Sequence, residues 1–362
     1  MQIVDRYIFK QVIRGYIMLL LSFFLLYIVI DVFMQLDDIL KEKTSIFTLV
    51  RYYAFFLPQI FVRVSPLSFL ISSLYCIGIL NRNNELISLR AQGFSVMAIS
   101  RVFIVTSLLL SIVALFVEDR LVPESFTGLK KIEGYKNNAD AKEEVTTNFA
   151  FYAQEGYVVF AKRFDVANGI LSHVNLFVQD ETGTITQEVI AERLVYDEGR
   201  WVMKNALEYQ LTDGRLLTGN PDFLKEKELD LVATPRELFK ESSLSWQDLS
   251  LKDIRVQIAK FSLWKAQKII AFLEVEFHKK IALNFSTFFL MVGCLPFALR
   301  IKQRRVGLSS LGLAILMSFS YYLLFSLSSA LGKVDFFLPW IGCWIPNIFF
   351  GISGIAGLIL LN

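Results

Sequence analysis

The sequence predicts a membrane protein in which an antiparallel β domain is inserted between two groups of three transmembrane helices. Hydrophobic residues make up 54% of the 362 residues and include 33 phenylalanines, an apolar share above that of a typical soluble domain. Charged residues still make up 20% of the chain, so a substantial polar region must lie outside the bilayer. Long uncharged runs flank this polar region, and they approach or exceed the ~20 residues that cross ~30 Å of hydrocarbon.

Six apolar runs define the predicted spans, three before the polar middle region and three after it. They cover residues 15–36, 54–80, 102–117, 281–299, 306–331 and 336–362. The predicted domains are residues 1–120 with the first three spans, 121–262 with the β domain, and 263–362 with the last three spans. A short cytoplasmic helix is expected at residues 82–94, within the first of these domains.

Lysine and arginine near the span ends predict the orientation, because they collect on the cytoplasmic side of a membrane protein. One side is the more basic, with Arg6, Lys10, Arg14, Arg82, Arg90, Arg101, Arg300, Lys302, Arg304 and Arg305. The other side has fewer basic residues, partly offset by acidic ones: Lys41, Lys43, Arg51 and Lys333. Both termini are therefore predicted to be cytoplasmic, with the polar middle region on the opposite side of the membrane.

The polar middle region reads as a series of short strands. Alternating apolar residues separated by Gly and Asp turns are typical of an antiparallel sandwich or roll, which composition does not distinguish. The expected strands cover residues 149–153, 157–161, 170–179, 184–196, 200–205 and 207–212. After them, Ser250 and Asp253 have capping-box spacing, and the amphipathic segment 254–280 leads straight into the fourth span. Such a helix transmits motion or serves as a simple stalk.

Motif searches indicate binding or docking rather than catalysis. The sequence has no Gly-x-Ser-x-Gly, no His-Glu-x-x-His, no phosphate loop and no metal-ligand spacing. A net charge of +3 gives no support for nucleic-acid binding. Cys76, Cys294 and Cys343 lie within apolar runs and are expected to be small buried hydrophobes. We therefore expect no catalytic residue, no metal site and no cofactor in this chain.

The segment NELISLRAQGFS, residues 84–95, predicts a short amphipathic helix between the second and third spans. Asn83 or Asn84 is a candidate cap, Glu85 suits the first turn, and Gly93 suits a left-handed stop. An isolated helix of this length is marginal and needs a surface. It either lies on the headgroups, with Arg82 and Arg90 near lipid phosphates, or docks into a cytoplasmic partner through Glu85.

Three stretches carry a resemblance that covers nearly the whole chain. They are 57–58 and 65–67 (LP and SPL) leading into residues 84–95, 276–283 (EFHKKIAL) followed by 293–296 (GCLP), and 321–347 with its YY, LPW and WIPN. Together they resemble the lipopolysaccharide export permeases of the LptF/LptG type, also called YjgP/YjgQ. Residues 4–8 (VDRYI) resemble the LptG start somewhat better than the LptF one.

The resemblance implies a multi-pass subunit of the bacterial inner membrane, with a periplasmic, jellyroll-like β domain. It implies an ABC transporter in which an LptB-like ATPase dimer binds ATP and grips the coupling helices. The other implied partners are a sister LptF/LptG-type subunit, LptC/LptA-like periplasmic jellyroll proteins and lipopolysaccharide, which is extracted and passed to a periplasmic bridge. The implied ATPase-coupling residues are Glu85, Leu86, Arg90, Gly93 and Phe94.

Basic residues at the other side of the membrane are candidates for contact with lipid phosphates. Lys41 and Lys43 follow the first span, where they either meet phosphates or anchor the helix at the interface. Arg63 lies within the second span and is expected near the outer mouth, facing the lumen. Pro58 and Pro66 are expected to bend or break that span. The main rival function is an FtsX-like scaffold that transmits force from an ATPase without moving a lipid.

Overall fold

The structure is a computed structural model that divides into two compact units, residues Met1–Glu133 with Glu274–Asn362, and residues Gly134–Leu273. It describes residues 3–41, 44–126, 128–129, 145–153, 157–166, 168–179, 185–197, 199–212, 215–216, 222–229, 234–235, 249–263, 267–300, 306–333 and 338–361. The domain boundaries at 120/121 and 262/263 stay a prediction.

Helices form the first unit. Among the described residues, five helices are long and apolar enough to cross a membrane, and a bent helix pair makes a sixth span if it is counted as one. The helices are α1 (Ile3–Met34), α2 (Leu36–Lys41), α3 (Ile46–Arg82), α4 (Glu85–Ala91), α5 (Val96–Phe116), α7 (Gln267–Asn284), α8 (Ser286–Arg300), α9 (Val306–Lys333) and α10 (Pro339–Ile359). The predicted membrane protein with an inserted β domain is confirmed.

The bundle core combines large apolar side chains with small polar ones. Helix α1 packs against α3 through Ile8 and Val12, which are fully or almost fully buried. Hydroxyl groups join the same two helices, because Ser72 Oγ donates to Val12 O at 2.7 Å and Tyr16 Oη lies 2.8 Å from Ser65 Oγ. Small side chains let transmembrane backbones approach closely, so hydrogen bonds of this kind add to the packing.

Helix α3 decides between the two expected effects of the prolines in the second span. It contains both Pro58 and Pro66, yet it is continuous from Ile46 to Arg82. The prolines therefore do not break the helix, and a bend at them stays a prediction. The fourth span is bent within its own length, because α7 and α8 are separated at Phe285 and meet at an angle of 49°. Helix α7 is continuous from Gln267 to Asn284, so the end of the amphipathic segment leads into the start of that span.

The second unit contains an antiparallel sheet and the linking helix α6 (Leu251–Leu263). Strands β1 to β5 pair in sequence order, β7 pairs with the other edge of β5, and β6 pairs with its end. The strands are β1 (Val145–Ala153), β2 (Tyr157–Asp165), β3 (Ile170–Gln179), β4 (Ile185–Asp197), β5 (Arg200–Thr212), β6 (Arg215–Leu216) and β7 (Asp222–Leu229). Its core includes Phe164, Leu171 and Trp201, each fully buried. Closure into a jellyroll stays a prediction.

A line of irregular residues crosses this sheet. His173 in β3 and Asn205 in β5 have left-handed backbone angles, with φ of 53° and 54°. The pairing of β3 with β4 and of β4 with β5 skips these positions, as it does Glu192 between them. The Asn205 amide donates to the Glu192 carboxylate at 2.8 Å. The irregularity explains why two strands were expected where β5 is one.

The predicted start of α6 is confirmed at the level of its hydrogen bonds. The Asp253 amide donates to Ser250 Oγ at 3.1 Å, and Ser250 Oγ lies 2.6 Å from Asp253 Oδ2. The first bond is the N-cap half of a capping box, and the Asp253 carboxylate accepts from the Ser250 hydroxyl rather than from the Ser250 backbone amide that a full capping box uses.

Candidate functional site

Three of the five candidate coupling residues, Glu85, Leu86 and Arg90, lie in the short helix α4 between α3 and α5. The other two, Gly93 and Phe94, follow it. Asn84 is its N-cap residue, in a left-handed conformation with φ of 61°, but its side chain makes no capping hydrogen bond within the described part of the chain. Asn83 Nδ2 donates instead to the carboxylate of Glu85 at 3.1 Å. Glu85 is thus held at the start of the helix by a neighbouring side chain.

The end of α4 follows the expected glycine stop. Gly93 has φ of 88°, its amide donates to Arg90 O at 3.0 Å, and the Phe94 amide donates to Leu89 O at 3.1 Å. This pair of hydrogen bonds defines a Schellman motif, in which the left-handed residue is usually glycine. The turn therefore fixes the position of Phe94 relative to the helix.

The apolar face of α4 packs on the helical unit itself. Leu86 is only 5% exposed and belongs to the bundle core, and Leu89 and Phe94 pack against that core. Ile87, on another face, is 56% exposed. The surface that so short a helix needs is therefore supplied by its own chain.

Two polar contacts tie this region to the ends of the spans. Arg90 Nη2 donates to Leu361 O, just beyond α10, at 3.0 Å. Arg101 of α5 forms an ion pair with Asp5 of α1 at 2.7 Å, and the Asp5 side chain is only 10% exposed. Sequence reasoning identified Arg90 and Arg101 as basic residues but missed both partners, which lie far away along the chain.

An open groove of about 370 Å³ lies between the start of α1 and α4. Its walls are mostly apolar, with one carboxylate. The lining residues are Ile3, Val4, Tyr7, Glu85, Ser88 and Leu89. A groove with this lining suits an apolar side chain that is followed by a cationic group.

The candidate lipid-contact residues lie in other elements of the same unit. Lys41 is the exposed last residue of α2, whereas Lys43 lies outside the described residues. Arg63 is exposed on α3, and its Nη1 donates to the Tyr27 hydroxyl of α1 at 3.0 Å. Arg63 lies about 28 Å along the helix axis from Arg82, close to the thickness of the hydrocarbon layer.

A second groove, of about 420 Å³, runs between α1 and the first half of α3. Its lining is almost entirely apolar and consists of Ile28, Val32, Leu49, Val50, Tyr53, Ala54 and Leu57. The Tyr53 hydroxyl donates to Asp31 Oδ2 at 2.9 Å and joins the two helices beside it. This groove could not be predicted from the sequence, because it forms only where the first and second apolar runs pack together as α1 and α3.

A family model described as the lipopolysaccharide export system permease LptF/LptG matches residues 6–360. The chain belongs to this family. The match does not distinguish LptF from LptG. A search of curated proteins finds no match to the chain.

As an LptF/LptG family member, the chain is a permease component of a lipopolysaccharide export system and a multi-pass inner-membrane protein. No group of three or more His, Cys, Asp or Glu residues suited to a metal ion occurs within the described ranges. The three cysteines are free and buried. The assignments of Glu85, Leu86, Arg90, Gly93 and Phe94 to coupling, and of Lys41, Lys43 and Arg63 to lipid, stay predictions.

Replacing Gly93 of this permease by alanine should weaken the end of α4. No described atom lies within 4 Å of a Cβ at Gly93, so the cost comes from its left-handed backbone alone. We expect a loss of about 1 kcal/mol, with a smaller loss for Gly93→Asn because asparagine tolerates this conformation better. Limited proteolysis at the turn measures the difference, and equal cleavage of all three proteins would contradict it.

Proposed function

We propose that the chain is a transmembrane subunit of an ABC transporter that extracts lipopolysaccharide from the inner membrane. A separate LptB-like ATPase dimer binds ATP and supplies the energy. A sister LptF/LptG-type subunit completes the membrane part, and LptC/LptA-like proteins receive the lipid. In this proposal both termini are cytoplasmic, the β domain is periplasmic, and the chain is of the LptG type.

The observation that carries this proposal is that α4 packs against the other helices of the first unit. A helix that rests on lipid headgroups directs its apolar face to the acyl chains. Leu86 instead lies in the bundle core, and Arg90 binds the chain end after α10. A force applied to α4 therefore acts on α10 through Arg90 and on the bundle core through Leu86.

Glu85 is the residue best placed to meet the ATPase. It lies at the start of α4, is partly exposed, and lines the groove beside α1. A carboxylate in this setting suits an arginine, whose planar guanidinium forms two parallel hydrogen bonds with it. An apolar neighbour of that arginine then fits beside Ile3 and Val4.

Glu85→Arg should therefore reduce co-purification with the ATPase by at least about tenfold, because the proposed pair of Glu85 with an arginine becomes a like-charge contact. Gln92→Arg is the matched control, since Gln92 is exposed at the other end of α4 and its change adds one positive charge. Quantitative mass spectrometry of the detergent-purified complex measures both. Equal recovery of the ATPase with the two variants would refute the coupling role.

The proposal also assigns Lys41, Lys43 and Arg63 to the lipid phosphates. Lys41→Gln should reduce photo-crosslinking to lipopolysaccharide about threefold, because one exposed charge contributes roughly 0.5–1 kcal/mol. Lys41→Arg keeps the charge and should keep the crosslink. An unchanged yield in Lys41→Gln would rule out the contact at Lys41. A complex that hydrolyses ATP yet releases no lipid in proteoliposomes would favour the FtsX-like scaffold instead.

A further inference from the structure

The bend in the fourth span has a local cause in its own sequence. Asn284 Nδ2 donates to Lys280 O at 2.8 Å, so the side chain binds the same carbonyl that in a helix accepts from the backbone amide four residues later. Side chains that bond to the preceding turn in this way bend helices. Helix α7 ends at Asn284, and α8 begins at Ser286 at an angle of 49° to it.

Neighbouring helices supply partners for two backbone groups at the bend. In an unbroken helix Ala282 O would accept from the Ser286 amide, and the Phe288 amide would donate to Asn284 O. Here Asn347 Nδ2 of α10 donates to Ala282 O at 3.0 Å, and the Phe288 amide donates to Ser111 Oγ of α5 at 3.2 Å. Backbone polar groups within a membrane must find such partners, so this arrangement supports the bent conformation.

Asn347 joins three helices at this point. Its Nδ2 binds Ala282 of α7, and its Oδ1 accepts a 2.6 Å hydrogen bond from the Tyr321 hydroxyl of α9. Both Asn347 and Tyr321 are fully buried. An amide held by tyrosine in one orientation directs its NH2 group at the bend.

The two pieces of the span are attached to their surroundings by different interactions. Ion pairs hold α7, where Glu276 Oε1 lies 2.7 Å from Lys333 Nζ of α9 and Lys280 Nζ lies 3.4 Å from Glu118 Oε1, just after α5. Close backbone packing holds α8 against α10. A Cβ at Gly354 would clash with the Val292 carbonyl, and a Cβ at Gly357 would lie 2.6 Å from Pro296 Cγ.

We propose that the bend at Phe285 is a hinge of the transport cycle, in which α8 and α10 move as one body while α7 pivots. Asn347 is the positioning residue that sets the bent conformation. This inference rests on the proposed transport function. Ion pairs and side-chain hydrogen bonds can form again with new partners when a helix pivots, whereas backbones in direct contact separate only when the whole interface opens.

Unsatisfied groups at the bend support a second conformation. Asn284 Oδ1 and Thr287 Oγ1 are buried and have no hydrogen-bond partner among the described residues. Such groups disfavour the state that contains them, so a pivot that pairs them becomes more accessible.

Hydrogen exchange in the intact, co-purified complex in lipid nanodiscs tests the hinge. With a non-hydrolysable ATP analogue, the amides of residues 281–289 should change their exchange rate at least about fivefold, and those of residues 290–298 less than about twofold. Equal rates with and without nucleotide in both segments would overturn the hinge. A change confined to residues 290–298 would overturn it as well.

The hydrogen bonds of Asn347 with Ala282 O and the Tyr321 hydroxyl form a latch between α7, α9 and α10. Variants of this latch test the role of Asn347 on the chain alone in nanodiscs, without ATPase or lipid substrate. Asn347→Leu should raise exchange at residues 281–289 about tenfold. Ser353→Ala is the control, because the hydrogen bond that Ser353 of α10 donates to Phe350 O lies within its own helix. Tyr321→Phe should give a smaller rise, since it frees the amide without removing it, and it replaces Asn347→Leu if that variant does not fold.

Wild-type exchange in both latch variants would overturn the positioning role of Asn347. The same measurements distinguish an incorrect hinge proposal from an incorrect transport function. A complex that shows the nucleotide-dependent change but transfers no lipopolysaccharide contradicts the transport function and keeps the hinge. A complex that transfers lipid with unchanged exchange at residues 281–289 contradicts the hinge and keeps the transport function.

Discussion

Gly354→Ala is expected to destabilise the helical unit, because the added methyl group has no room between α10 and α8. A Cβ at this position would clash with the carbonyl of Val292 and lie 2.8 Å from the Gly293 nitrogen. These are backbone atoms, which cannot rotate away as a side chain does. Overpacking of a tight interior contact costs roughly 1–3 kcal/mol, and a backbone clash belongs at the upper end.

Gly312→Ala is the matched control and should change stability in the opposite direction. Gly312 lies within α9, and within the described ranges no atom is less than 4 Å from a Cβ built there. Alanine is preferred over glycine inside a helix by about 1 kcal/mol, so this variant should gain stability. Thermal unfolding of both proteins in one detergent measures the difference, and a loss of similar size in both would show that backbone contact at Gly354 is unimportant.

The spans could be predicted from sequence because the bilayer imposes a length and an apolar composition on each of them. The bend at Phe285 could not be predicted in the same way. It depends on where the Asn284 side chain points and on Asn347, which is more than sixty residues away and becomes a neighbour only through folding. Composition therefore predicts where the fourth span lies, but it does not predict the bend within it.

The sheet shows the same limit at a smaller scale. Alternation identified β3 and β4 closely, because each buries one face against the core. At Asn205 the alternation shifts, since a left-handed residue adds one exposed position without ending the strand. Strand β7 was missed because it alternates weakly, with charged residues such as Lys225 and Glu226 along most of its length.

The position of the candidate site along the chain could be predicted better than the contacts that its residues make with distant parts of the chain. Gly93 marks the end of α4 by its chemistry alone, and the structure has the expected turn there. The contacts of Arg90 with Leu361 and of Arg101 with Asp5 join distant parts of the chain, which no local pattern reports. The first contact relates α4 to the end of α10, and the second joins α5 to α1, so the mechanical part of the proposal depends on the fold.

Loss of the lysines around Glu276 is the second change with a large expected effect. Glu276 is only 3% exposed and lies 2.7 Å from Lys333 Nζ and 3.4 Å from Lys279 Nζ. Removing both partners leaves a buried carboxylate without its compensating charges, at a cost of about 3–5 kcal/mol. The double variant Lys279→Met with Lys333→Met should therefore unfold far more readily than either single variant, and Lys333→Met should be the more damaging single change.

Adding Glu276→Gln to the double variant should restore most of the lost stability. The amide keeps the shape of the carboxylate but no longer needs a positive partner, and an apolar or neutral replacement of a whole buried pair is often close to neutral. Unfolding midpoints of the wild-type protein, the two single variants, the double variant and the triple variant in one detergent provide the comparison. If the triple variant were as unstable as the double variant, the cost would lie in lost packing of the lysine chains, and Glu276 would not be the charge that holds α7 in place.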